Sequence, residues 1–193
     1  MISCADLHLC DYTDISIIDL GAPAVEYLKS DRLLGIINMK IVIIIIVSLI
    51  IVSILVLFVL GQMSQSGEAN GLFEAKLTKC PDKPNCICTE FVADATHYID
   101  PIVFTQINSA EVLSRLKNSV REIGGSIQVE TGNYLAATFS SSIFRFVDDL
   151  EIRIDADQNM IHIRSASRVG HSDGGVNKKR IEQLKKLFHS NRE

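Results

Sequence analysis

The chain has 193 residues, with 23 acidic and 19 basic side chains, five cysteines, no tryptophan and a net charge of −4. That length suits one domain plus additional segments. Six of the acids but only two of the bases lie in residues 1–39, so the remainder is neutral and offers nucleic acid no electrostatic footing.

Residues 1–38 carry scattered apolar side chains without a clear period and are too short to build a core of their own. Met39-Lys40 stands directly before a long apolar run, as the start of a signal anchor would. The reading for 1–38 is an N-terminal extension, either disordered or a mis-assigned start.

Residues 41–61 read IVIIIIVSLIIVSILVLFVLG, with Ser48 and Ser53 the only polar side chains. At about 1.5 Å per residue this run is roughly 31 Å long, the thickness of a bilayer core. A soluble core helix needs a polar face, and a strand of that length is not expected. The run exceeds the roughly 7–15 apolar residues of a cleaved signal peptide. Gly61-Gln62-Met63-Ser64 lacks an Ala-x-Ala cleavage pattern, and no cysteine follows closely. Residues 39–61 are therefore read as an uncleaved transmembrane signal anchor. Lys29, Arg32 and Lys40 precede the run and no basic residue follows until Lys76. The basic flank predicts a cytoplasmic N-terminus and an extracytoplasmic C-terminal domain.

Residues 62–71 are polar and rich in Gly and Ser, and are read as a linker; the domain occupies 72–193. It opens with Cys80-Pro-Asp-Lys-Pro-Asn-Cys86-Ile-Cys88. In an oxidising compartment Cys80 and Cys86 are candidates for a disulfide, since Pro81 and Pro84 bend the segment. Inert thiols and a metal or redox role are the alternatives, although the odd count and absence of a second cysteine pair disfavour a metal.

Asn108 with Glu111 predicts a helix start, Val112, Leu113, Leu116, Val120 and Ile123 its apolar face, and Gly124-Gly125 its end. Four strand segments follow, at 126–131, 134–140, 146–155 and 160–167, separated by turns, with clear alternation in the first, third and fourth. Period-two alternation with short turns predicts antiparallel neighbours with one solvated face. A last helix begins after Asp173 as N-cap and runs to about residue 189, with Val176, Ile181, Leu184, Leu187 and Phe188 as its stripe. The expected fold class is α+β. It is a two-layer domain with an antiparallel sheet of about four to five strands and two main helices, preceded by one transmembrane helix.

Two polar clusters carry candidate chemistry. Asp148 and Asp149 are adjacent on a strand, so their side chains point to opposite faces and cannot serve one site without a bulge. The stretch from Arg164 to Asn177 joins a strand end, a glycine turn and a helix start. Helix-start amides attract anions, and Arg164 and Arg168 flank that point, but Asp173 competes for the same amides. An Arg–Asp network pinning the last helix to the sheet is the competing explanation. Ser165 or Ser167 with His171 and an Asp supplies the residue types of a hydrolase, but without a G-x-S-x-G elbow.

CPDKPNC, FVDDLEIRID and IHIRSASRVGHSDGGVNKKRIE together resemble the domain of unknown function 1499 family over 72–193. The resemblance implies small envelope or organelle-exported domains behind an apolar segment, with no assigned reaction. The matching residues are Cys80, Cys86, Asp148, Asp149, Arg164, Ser165, Ser167, Arg168, Asp173, Asn177 and Arg180. Two positions depart from the family pattern. Ile87-Cys88 stands where Ser commonly follows the second cysteine, and His171 stands where Tyr is common, which weakens any proton-transfer role there.

The leading expectation is a membrane-anchored binding or structural module of the cell envelope. It has no cofactor and no metal, and its partners are the membrane and an envelope protein or small anionic ligand. The alternative is an enzyme using the same Asp, Arg and Ser cluster, with a cation held by Asp148, Asp149 or Asp173.

Overall fold

The computed structural model describes residues 22–105 and 108–190, so most of the N-terminal extension lies outside the described residues. The chain divides into two compact units between Val52 and Ser53. In the first unit the described residues form helix α1, which runs over Ala22–Gln65 and so continues into the second unit. By length and composition, Leu34–Gln65 is a candidate membrane-spanning helix near the N-terminus. Large apolar side chains along it are exposed all round, from Ile44 at 63% to Leu57 at 37%. A soluble helix would bury one stripe of them.

The second unit opens with the last turns of α1. A small hairpin follows, β1 (Leu72–Phe73) with β2 (Lys76–Leu77), then β3 (Cys86–Cys88) and β4 (Ile102–Val103). Helix α2 spans Ser109–Glu122, and strands β5 (Ser126–Thr131), β6 (Tyr134–Ser140), β7 (Val147–Asp155) and β8 (Met160–Ser167) come next. Helix α3 (Val176–Ser190) closes the domain.

The four long strands fall where the alternation predicts them, in the antiparallel order β8-β7-β6-β5. Both β3 and β4 add to the free edge of β8, making six strands. At three and two residues these strands are too short for a period to be read from sequence.

Asn108 caps α2, its side chain accepting a hydrogen bond from Glu111 N at 2.9 Å. Gly124 follows with φ +87°, the left-handed conformation that ends a helix cheaply only in glycine. Asp173 caps α3, its Oδ2 accepting from Asn177 N at 2.7 Å and its Oδ1 from Gly175 N at 3.0 Å. Ile181, Leu184 and Phe188 of α3, with Val112, Leu116 and Val120 of α2, pack on Leu150, Ile152, Ile161 and Ile163 of the sheet. Full burial of such side chains contributes about 1.5–3 kcal/mol each. Val176 departs from its expected place in the apolar stripe. It is exposed, and Asn177 beside it is completely buried.

The expected solvated sheet face is also corrected. Asp149, Glu151, Arg153, His162 and Arg164 are all buried, Glu151 completely. A cover built from residues 69–91 lies over them. Leu77, Cys80, Cys86 and Cys88 pack against Tyr134, Ala136 and Ala166, with Ala69, Leu72 and Phe91 beside them. Cys80 and Cys86 form a disulfide within this cover, their Cα atoms 5.7 Å apart. Strands β7 and β8 are thus buried on both faces, by two helices on one side and by a non-periodic, cross-linked segment on the other, while the edge strand β5 stays largely exposed. Charge alternation reports what a side chain needs as a partner, and here the partners are other charges rather than water.

Candidate functional site

Strand pleating divides the nominated residues into two clusters. Along β8, Ser165 and Ser167 bond toward α3, whereas Arg164 bonds to Glu151 and the chain continues to Arg168, which bonds to Asp149. Asp148 and Asp149 part in the same way, as neighbours on a strand must.

In the helix-side cluster, Arg180 is the hub. Its Nη2 donates to Asp148 Oδ2 at 2.7 Å and its Nη1 to Ser165 Oγ at 2.9 Å. Nη1 also donates to Asn177 Oδ1. The guanidinium lies 4.3 Å from the centroid of the Phe139 ring, a cation–π contact. Ser165 Oγ donates to Asn177 Oδ1 at 2.6 Å. Asn177 Nδ2 donates to the Asn85 carbonyl at 3.0 Å and to Ser167 Oγ at 3.1 Å. Asn85 Nδ2 in turn donates to the Gly170 carbonyl at 2.9 Å. These bonds tie the start of α3 to the β7–β8 hairpin and to the disulfide segment.

In the cover-side cluster, Arg168 holds Asp149 with two parallel bonds, Nε to Oδ2 at 2.8 Å and Nη2 to Oδ1 at 2.7 Å. That bond raises the guanidinium pKa above its ordinary value. Arg168 Nη1 donates to the Ser64 carbonyl at 3.1 Å, a cation placed on the carbonyls that end α1. Arg164 Nη1 donates to Glu151 Oε2 at 2.7 Å. The other Glu151 oxygen accepts from the Tyr134 hydroxyl at 2.9 Å and from Gly71 N at 2.8 Å. Burial, then the adjacent Glu151, pushes the Tyr134 hydroxyl pKa upward.

The same face continues into residues the sequence reading did not single out. Arg153 donates from Nη2 and Nε to Glu90 Oε1 at 2.6 and 3.0 Å, and Glu90 Oε2 accepts from Leu77 N at 2.6 Å. Thr89 Oγ1 lies 3.4 Å from His162 Nδ1, and burial holds the His162 pKa below its ordinary value. Glu151, Glu90, Arg153 and Tyr134 are thus structural members of this face. The signal available in sequence was the register itself: Glu151 stands opposite Arg164 once the hairpin is drawn.

Two grooves open at the end of the sheet where β7 begins. One, about 640 Å³, touches Gln65, Glu68, Thr138, Asp149 and Arg168 on the cover side. The other, about 620 Å³, touches Phe139, Phe146, Asp148, Asp173 and Arg180 on the helix side. Each groove presents an Asp–Arg pair already bonded internally. Asp173 keeps the α3 amides occupied, and Arg164 is turned to Glu151, so the anion site between Arg164, Arg168 and those amides is not assembled. The hydrolase constellation is not assembled either. Ser165 is completely buried and committed to Asn177, and His171 is exposed in the turn before α3. Among the described residues no group of three or more His, Cys, Asp or Glu side chains is arranged to hold a metal ion.

Comparison with known proteins bears on the domain alone. The model of a family described as protein of unknown function (DUF1499) matches residues 76–188, which contain the disulfide, both polar clusters and all six strands of the sheet. A search of curated proteins returned no match.

Proposed function

The chain belongs to the DUF1499 family, and from that premise we propose a membrane-anchored, extracytoplasmic module of the cell envelope that works by binding or by structure rather than by catalysis. One observation carries the second half of the reading. Asp148, Asp149 and Glu151 are each bonded to an arginine, and Asp173 to helix amides. Both oxygens of Asp149 and of Glu151 are committed to such bonds, which disfavours a catalytic cation or proton relay on that face. The nominated residues Asp148, Asp149, Arg164, Ser165, Ser167, Arg168, Asp173, Asn177 and Arg180 then act as a framework. It holds the grooves in shape for an envelope protein or small anionic ligand.

The first half rests on α1 and the disulfide. An apolar helix preceded by Lys40, with no basic residue after the run until Lys76, favours an uncleaved signal anchor with the domain outside the cytoplasm. A Cys80–Cys86 bond is stable in that oxidising setting and not in the reducing cytosol.

Thermal melting of the full chain in detergent, with and without Arg180→Ala, tests the framework reading. Loss of the hub lowers Tm clearly if the cluster is structural. An unchanged Tm with loss of a co-purified ligand, seen by native mass spectrometry, transfers the cluster to a binding or catalytic site. Alkylation of denatured, unreduced protein tests the compartment, because the proposed location leaves Cys80 and Cys86 unmodified even when unfolding exposes them.

A further inference from the structure

We infer that the β6–β7 loop, residues 141–146, is a second membrane contact that dips into the bilayer interface beside α1 and fixes which end of the domain faces the lipid. The inference rests on the anchor reading of α1 and adds to it a surface, an occupant and an orientation.

The loop reads Ser-Ser-Ile-Phe-Arg-Phe. It is closed at its base by two hydrogen bonds, Ser141 N to the Phe146 carbonyl at 2.8 Å and Phe146 N to Ser141 Oγ at 2.9 Å. Its tip is therefore a held projection carrying Ile143, Phe144 and Arg145. Ile143 is 72% exposed, the most exposed large apolar side chain among the described residues. Ile143 is exposed beside the half-buried Phe144, so the tip presents adjoining apolar side chains at the end of the apolar helix, as a contact surface does.

The occupant follows from where the tip sits. The Phe144 ring meets the Phe58 ring edge-on with centroids 5.2 Å apart, and Phe146 packs on Phe144 at 6.2 Å. Gly61 leaves room for this approach, since a Cβ there would stand 1.8 Å from the Phe144 carbonyl oxygen. Ser64 Oγ then accepts from Val147 N at 3.1 Å, fixing the first residue of β7 to the same helix end. Phe58 belongs to the apolar run, about 6 Å before Gln62, the first amide after it. With the run in hydrocarbon, a ring stacked on Phe58 lies at the hydrocarbon–headgroup boundary, the level that aromatic side chains prefer. Arg145, exposed beside it, is long enough to reach lipid phosphates from that depth. The partner is thus the bilayer itself.

The test uses the absence of tryptophan from the chain, which makes any introduced tryptophan a sole reporter. The full chain is reconstituted in phosphatidylcholine–phosphatidylglycerol vesicles with or without a lipid brominated high on its acyl chain. Three variants are compared. Val56→Trp reports on α1. Ile143→Trp reports on the loop tip, where exposure makes the substitution tolerable. Val103→Trp lies on β4, paired with Met160 opposite Asp155, so it sits roughly 26 Å along β7 from Val147.

The expected result is blue-shifted emission from Ile143→Trp that loses roughly half or more of its intensity to bromine, with Val103→Trp unaffected. If Val56→Trp is quenched but Ile143→Trp is not, the loop inference fails while the anchor stands. If Val56→Trp is also unquenched, the anchor reading fails and the loop inference with it. Blue-shifted but unquenched emission at Ile143 means a protein partner covers the loop, and equal quenching at Ile143 and Val103 means the domain lies on its side. Either outcome overturns the inference.

Discussion

Glu151 and Arg164 stand opposite each other in the β7–β8 register and share a 2.7 Å hydrogen bond in the closed space between sheet and cover. Glu151 is wholly buried and Arg164 is 5% exposed. Removing one partner strands the other charge in the interior. Glu151→Ala should cost about 3–5 kcal/mol in denaturant unfolding. Replacing both residues by methionine should recover only part of that loss. The Tyr134 hydroxyl and Gly71 amide would remain unbonded, at about 1–3 kcal/mol. A loss in the double variant equal to the sum of the Glu151→Met and Arg164→Met losses would show that the two charges are not coupled.

Among the described residues, Cys88 is a free, buried cysteine beside the disulfide. Burial pushes its thiol up to about 11, so very little thiolate exists at neutral pH. Iodoacetamide should leave Cys88 unmodified in the native protein and label it after denaturation, as read by peptide mapping. Native labelling at the denatured rate would contradict the cover described above.

His162 supplies a pH dependence. Its folded pKa lies below 6.5 chiefly because it is buried, with Arg153 acting in the same direction and Glu90 and Asp155 opposing. Above 6.5 the ring is neutral in both states and no stability is lost. As pH falls through 6.5 the unfolded chain takes up a proton that the folded protein resists, so stability declines until the folded pKa is passed. His162→Gln should flatten the urea midpoint between about pH 5 and 7. A slope unchanged by that substitution would assign the effect to other groups.

Gly61 admits no side chain. Its missing Cβ would meet the Phe144 carbonyl oxygen at 1.8 Å, a backbone atom that cannot swing aside. Gly61→Ala should cost about 1–3 kcal/mol through forced displacement. Gly35→Ala, with open space around it, is the matched control and should leave the melting temperature of the domain unchanged. Equal behaviour of the two would mean that α1 does not pack on the β6–β7 loop.

The long elements were legible because each satisfies one simple period. Ser126–Thr131, Tyr134–Ser140 and Met160–Ser167 begin and end where alternation and turn residues place them. The caps at Asn108 and Asp173 follow from side-chain chemistry alone. The cover was not legible, because residues 69–91 have no period and their strands are two or three residues long. Losing the cover also misassigned Glu151 and Arg153 to water, since alternation alone cannot tell a solvated face from a paired one. The Cys80–Cys86 bond was readable as a candidate, whereas its place over the charged face was not.

The cover also orders the assembly of the domain in time. Cys80 and Cys86 are separated by 6 positions and can join as soon as both are made. Nearly everything the cover rests on is made later: Gly71 waits for Glu151, 80 residues on, and Asn85 waits for Asn177, 92 residues on. Contacts of that span form slowly and late. The first-made flap is therefore expected to be cross-linked early and seated last, after β8 and α3 exist. Cys88 stays within reach of an alkylating pulse until that final docking, and its protection is a clock for completion of the fold.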